Sequence, residues 1–534
     1  MQRFLNVILA SMVMVIGFGC QPSPKAPQGK KPAVVRLNIK EEPQSLDPRK
    51  ARTLNSLSII HMLFDGLMRE GKEGKPELAV AQRIETSADL KTYTFHLRET
   101  TWSNGDRVKS TDFAYAWKKI LSPDFPSDVA SALYVIKNAK QAREGILPVQ
   151  EIAIFTPDEN TLVVELEQPT PYFLALVSQT VFSPVNQRID EENPQWMQQA
   201  DSYVSNGPFS LSGWKHQDQL LLKKNLHYWD ASSVHIDSLQ LEMLAEETEF
   251  NLFEKQELDW AGSPLSELPL EALKGLKEQN LLHTKTGLGT AFLRTNTQTR
   301  FLSNLSLRKA LALAINRQAI VEHVTQGGQL PATALVPEFF HLQTESYFQD
   351  GDLQTAKTLF AQALKELNVS KEALSEMTYL YRACERNHLI AQTIQQQWVE
   401  AFGVRIKLEA VEGKVFFSRI SKQDYQIAYG NWIGDFSDPI NFLEVFKYKG
   451  EGSNNTHWEN PEYISLLSRS SQVPAGEQRQ ALLAQAEKIL IQEMPIIPLY
   501  YMNMLYVSQS HLKDVVLSSG GQIDFKWASI EDVR

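Results

Sequence analysis

The stretch Asn431-Trp432-Ile433-Gly434-Asp435-Phe436-Ser437-Asp438-Pro439-Ile440-Asn441-Phe442 sets two aspartates among a tryptophan and two phenylalanines. Carboxylates are seldom buried without a partner. A glycine precedes the first acid and a proline follows the second, so the segment reads as an irregular turn rather than a helix face. Asp438, directly before Pro439, reads as the turn-forming residue. Asp435 has two readings, a structural acid capping backbone amides or a group that awaits a cation.

Outward from this turn, strands and helices alternate. Ala33–Ile39, Tyr93–Leu97, Thr161–Leu166, Thr378–Tyr381 and Arg405–Leu408 are β-branched or alternating runs and read as strands, as does the aromatic region Pro498–Val507. Ser56–Leu67, Leu353–Leu367 and His388–Phe402 carry helical apolar spacing, and Ser110-Thr111-Asp112 starts a capped helix. Leu307, Ala310, Leu311, Ala314 and Ile315 predict one long helix over Ser306–Val324, stopped by Gly327-Gly328. Asn104-Gly105 marks a tight reversal after Trp102. The alternation implies mixed α/β layers.

A chain of 534 residues exceeds one ordinary core and implies several domains. Its net charge of −10 speaks against a nucleic-acid partner, which needs a basic face. Two cysteines and 11 scattered histidines support neither a disulfide framework nor a zinc site. No metalloprotease, P-loop or nucleophile-elbow motif is present, and no cofactor or metal is called for.

At the N-terminus Arg3 precedes an apolar run from Phe4 to Phe18, which ends at Gly19-Cys20. That layout reads as a secretory signal over residues 1–19, and Cys20 resembles the lipid-modified cysteine of a bacterial lipoprotein. Residues 20–33 follow as a tether. Its segment Gln21–Pro32 holds four prolines and no large apolar residue, enough for an extended span of about 35–40 Å.

Taken in order, a series of motifs resembles the large extracytoplasmic solute-binding proteins of bacterial peptide ABC importers, the oligopeptide-binding type. They are Glu42-x-Gln44-Ser45-Leu46-Asp47-Pro48, Thr94–Arg98, Trp102-Ser103-Asn104-Gly105 with Asp112-Phe113, and Pro169–Phe173. Ser205–Phe209, Leu307–Ala310, the opening turn, Ser453–Thr456 and Pro495–Tyr501 complete the set. The resemblance implies an α/β, two-lobed periplasmic-binding-protein fold of type II, with an extra domain inserted in lobe I. Lobe I is expected at 34–54, 184–288 and 503–534, the extra domain at 55–183, and lobe II at 289–502.

It further implies a non-enzymatic, monomeric protein, exported and lipid-anchored, that hands a peptide to an inner-membrane permease with its ATPase subunits. Asp435, in Trp432-Ile433-Gly434-Asp435, is expected to receive the ligand's ammonium. Glu42, Phe292, Tyr429, Gly430 and Trp432 fall in the ligand-lining segments, with Trp432 and Phe292 walling side-chain pockets. Tyr429 stands where short-peptide binders of the family keep an arginine. Arg382, Arg386 and His388 lie in a segment that supplies another carboxylate partner, and Gly289 and Ile433 occupy the slots of the family's cleft cysteines. Cys384 is expected to be a buried free thiol. Another solute on the same scaffold (a dipeptide or cell-wall peptide, glutathione, haem or a metal chelate) stays open, and a surface adhesion lipoprotein is a further alternative.

Overall fold

The computed structural model describes residues 32–531 except 343–344, 451–452 and 519. The signal segment, Cys20 and the tether through Lys31 lie outside the described residues. Among those described, no helix is long and apolar enough to cross a membrane.

One eleven-stranded sheet organises the chain. From one edge its strands are Lys407–Val411, Thr378–Arg382, Ile427–Ile433, His283–Thr295, Ile496–Ser508, Trp260–Gly262, Val34–Asn38, Ser238–Glu242, Gln219–Lys224 and Phe209–Lys215, with Leu330–Pro331 also against Ile496–Ser508. His283–Thr295 and Ile496–Ser508 are each 13 residues long and antiparallel. Their first contact zone joins His283–Thr286 to Asn503–Tyr506 and their second joins Thr290–Arg294 to Ile496–Tyr501, with a break in register between. Trp260–Gly262 adds only at the first zone, and Ile427–Ile433 only at the second. Two half-sheets are therefore linked by two shared strands through Gly287-Leu288-Gly289. A Cβ at Gly289 would lie 2.9 Å from Met502 Sδ, so a side chain there would wedge the crossing apart.

The cores follow this division. One cluster gathers Val35, Leu37, Trp102, Trp117, Trp196, Leu239 and, from the far end of the chain, Ile523 and Phe525. The four-stranded sheet Ala81–Thr86, Thr92–Leu97, Thr161–Glu165, Ile154–Asp158 packs Phe95 and Leu162 into it. The second half-sheet is covered on both faces. Leu293, Tyr379 and Trp398 pack on one face, and Phe292, Phe446, Trp458 and Leu483 on the other. Large buried aromatics dominate both, and each removes 150–250 Å² from water.

Many of the conspicuous motifs prove to be joints in this scaffold. Trp102 Nε1 donates to Asp112 (3.2 Å). Asn206 exchanges two hydrogen bonds with the backbone of Asp65, and Gly207 lets the chain approach the Leu63–Phe64 backbone closely. Asp47 and Asp190 grip the buried Arg49. Arg69 sits between Asp65 and Asp524, which anchors the C-terminal segment 455 residues away in sequence. Asp190 and Asp524 thus meet arginines 141 and 455 positions away, which no local spacing reveals.

The strand expectations hold within about three residues, the largest miss being Arg405–Leu408, which runs Lys407–Val411, and the helix Leu353–Leu367 holds as expected. Ser306–Val324 is corrected: the helix runs Leu305–Leu313, and a second starts at Arg317. Asn316 caps that new turn through Ala319 N (2.8 Å). The buried Arg317 guanidinium takes the carbonyls of Ala312, Ile315 and Pro498. Local capping and a buried cation override apolar spacing. Cys384 is also corrected: it is exposed, because it precedes the helix Glu385–Phe402 where the chain leaves the sheet.

Candidate functional site

Strand Ile427–Ile433 has one saturated edge and one open edge. All seven residues pair with Gly289–Thr295. On the other side Thr378–Arg382 pairs only with Ile427 and Ala428, then diverges toward the helix Glu385–Phe402. Backbone polar groups along Tyr429–Ile433 are consequently left without a strand partner among the described residues. An unpaired edge is a template for an extended chain.

The open edge runs into the turn Gly434–Asp438, which is braced on several sides. Gly434 N donates to Leu288 O (2.6 Å), and a Cβ at this glycine would collide with Leu288. Asn441 Oδ1 accepts from Trp432 Nε1 (2.9 Å) and from Asp435 N (3.3 Å). Across the cleft Gln179 Nε2 donates to Asp435 O (2.7 Å), and Phe436 stacks on Tyr172 at 5.1 Å. Asp438 caps Ile440 N and receives both arms of Arg479 (2.7 and 2.8 Å).

Asp435 is treated differently. Its carboxylate has no hydrogen bond or ion pair among the described residues, and it faces a cavity of about 530 Å³ that Gln179, Arg52 and Gln522 also line. Arg52 is already paired with Asp128. The side chain is exposed on its cavity side, yet burial on the other pushes its pKa above the ordinary carboxylate value, since nothing cationic offsets the lost hydration. Such a carboxylate gains from an arriving ammonium.

The structure brings Asp435, Trp432, Gly430 and Tyr429 together on one strand and its following turn. Trp432 is half-buried against the core beside Phe436. Tyr429 points to the opposite face, where its hydroxyl meets that of Tyr500 (2.8 Å). Burial, then the Tyr500 hydroxyl, raises its pKa, so it is a neutral phenol. Arg386 is exposed and exerts its charge on both tyrosines. His388 is engaged by Tyr381 and Gln392.

One expected lining residue is corrected. Phe292 is fully buried against Phe446, so it packs the core and walls no pocket. Glu42 is held by Trp214 Nε1 (2.9 Å), His216 Nδ1 (2.8 Å) and Gln217 N (2.6 Å). Its carboxylate is spent on the hairpin Phe209–Lys224. Sequence reasoning missed Gln179, Asn441 and Arg479. Asn441 lies in the short helix Ile440–Leu443 directly after the turn, within reach of local reading, whereas Gln179 and Arg479 reach the turn only through the fold.

Two lobes joined by crossing strands, with an open strand edge and, among the described residues, an unpaired acid between them, define a binding protein that takes an extended ligand. The chain belongs to the bacterial extracellular solute-binding proteins, family 5, whose middle region matches residues 75–454. It is 40% identical over 533 residues to the oligopeptide-binding protein OppA of Bacillus subtilis, covering 98% of this chain and 97% of that one. The unliganded open form of the periplasmic murein tripeptide-binding protein MppA superposes with a TM-score of 0.84 at 25% identity, over 94% and 98% of the two chains. Haemophilus influenzae OppA in complex with the peptide RPPGFSPFR gives 0.72 at 26% identity, over 94% and 99%.

Proposed function

We propose that this chain is the peptide-capturing subunit of an ABC importer. An extended oligopeptide lies along Tyr429–Ile433, its ammonium on Asp435, and the lobes close over it. The observation that carries this reading is the open strand edge leading directly into an acid that meets no cation among the described residues. Main-chain pairing is indifferent to side chains, which suits capture of many sequences. Arg386, exposed beside Tyr429, is a candidate for the ligand's carboxylate in place of the absent arginine at 429.

Lobe I comprises 34–54, 184–288 and 503–534, the extra domain 55–183 and lobe II 289–502, with hinge motion about Gly287-Leu288-Gly289. The higher TM-score to an open form than to a peptide complex supports an open arrangement in which the lobes touch through Gln179 and Asp435 and through Tyr172 and Phe436. Hinge closure around the ligand is the motion expected of such a fold. The protein acts outside the cytoplasm as a monomer, held to the membrane by a lipid on Cys20. It performs no catalysis, and it delivers its cargo to a membrane permease driven by ATPase subunits. The test is mass spectrometry of small molecules released from protein purified without denaturation, followed by melting curves with those peptides. Binding to the folded state adds about 2.7 kcal/mol at a hundredfold excess over Kd. No released peptide and no shift with peptides of two to ten residues would refute the reading.

A further inference from the structure

Arg294 lies on the strand His283–Thr295 opposite Ala428, two residues beyond Phe292, which is opposite Gly430. Pairing and alternation put Phe292, Arg294, Ala428, Gly430 and Trp432 on one face of the sheet. The packing agrees, since Phe292 and Trp432 share a core while Leu293 and Tyr429 belong to the core of the other face. From that position the Arg294 side chain runs diagonally across the neighbouring strand. Its Nη1 fills the space where a Cβ at Gly430 would stand, and its Cζ lies 4.9 Å from the Phe292 ring centroid.

This guanidinium is more than nine-tenths buried, with Nε sealed from solvent and without an acceptor. Among the described residues it has no ion pair and no hydrogen bond. The contrast with the other buried arginines is clear: Arg49 and Arg69 each hold two carboxylates, and Arg317 holds Asp350 and three carbonyls. Burial pulls the Arg294 pKa down, with only the Tyr425 phenol opposing it, yet a guanidinium keeps its proton at neutral pH. A buried charge without a partner is costly. It becomes favourable when a carboxylate arrives, because two charge-assisted bonds then form in a water-poor setting.

Where such a carboxylate would come from follows from the strand. Gly430 lies two residues past Ala428, the last residue paired with Thr378–Arg382, so it belongs to the open edge. A chain added there would lie roughly 4.8 Å away, and every second side chain would point to the face that carries Arg294. The missing Cβ at 430 is what lets the guanidinium cross toward that edge.

We propose that Arg294 is a specificity-determining residue that receives a carboxylate of the bound peptide, from an acidic side chain or from the chain terminus. The proposal rests on the peptide reading of the cleft. With the ammonium at Asp435, a strand rise of about 3.3 Å per residue puts the third to fifth ligand residue beside Gly430.

The test is calorimetry with alanine-based pentapeptides carrying Glu or Gln at position three, four or five, each with a free or an amidated C-terminus. At one position the unaltered protein should prefer Glu over Gln, or the free over the amidated terminus, by about tenfold or more. The position and the terminus arm identify which carboxylate is read. In Arg294→Gln that ratio should fall to near one, whereas Arg294→Lys should keep part of it, which a purely packing role would not predict. If Arg294→Gln does not fold by circular dichroism, Gly430→Ala, whose methyl displaces Nη1, should abolish the same ratio. Peptides that bind with no Glu, Gln or amide discrimination, or with discrimination untouched by these variants, would overturn the proposal while the peptide reading stands. Failure of every peptide to bind the unaltered protein would overturn both.

Discussion

Arg479 closes on Asp438 through two hydrogen bonds of 2.7 and 2.8 Å, while Asp435, three residues earlier, meets no cation among the described residues. Two acids in one turn therefore have opposite assignments. One is neutralised inside the chain and holds the turn in place, and the other is presented to the cleft.

If Asp435 receives the ligand ammonium, Asp435→Ala should weaken peptides with free N-termini by about 2–5 kcal/mol. N-acetylated peptides should bind the unaltered protein poorly, and the variant should discriminate little between the two. Calorimetry on the four combinations forms a double-mutant cycle. A coupling energy of zero in a folded variant would assign Asp435 to the turn alone.

Asp438 should behave as a brace. Arg479→Met leaves a mostly buried carboxylate without its partner, at a cost of about 3 kcal/mol in urea unfolding. Peptide affinity should fall with it, because the same turn carries Asp435. Unchanged stability would show that water replaces the guanidinium.

Glu487 sets a dependence on pH. Burial pushes its pKa up to about 7, although it accepts from Leu335 N, Val336 N and the Tyr347 hydroxyl. The folded state then holds a proton that the unfolded chain releases near the ordinary value, so stability falls as pH rises between those two points. Glu487→Gln should remove that fall and stabilise the protein above pH 7 by about 1–3 kcal/mol relative to the unaltered chain. Denaturation midpoints at pH 5 and pH 8 measure it, and an identical pH slope in both proteins would contradict the assignment.

Lipid attachment at Cys20 is checked by intact-mass analysis of the mature protein. The expected product begins at a modified Cys20, and Cys20→Ser should leave the membrane fraction. An unmodified terminus at another residue would exclude the anchor.

Local rules wrote much of this molecule into the chain. Alternating apolar residues in Thr92–Leu97 and β-branched runs in Val34–Asn38 specify strands, because burial of one face needs only short-range pattern. The ordered motifs point to the family, and it is that resemblance which implies a ligand role for Asp435 in Trp432-Ile433-Gly434-Asp435. The tertiary structure decided which groups were left over. Among the described residues Asp435 meets no cation and Arg294 no anion, whereas Asp438 meets Arg479, 41 positions on, and Arg69 meets Asp524, 455 positions on. The same holds for Glu42 and Phe292, whose surroundings were supplied by the hairpin Phe209–Lys224 and by Phe446. A residue's type states what it can bind, but desolvation and pairing energies depend on neighbours brought from anywhere in the chain, and only the folded arrangement shows whose bonds are still unmade.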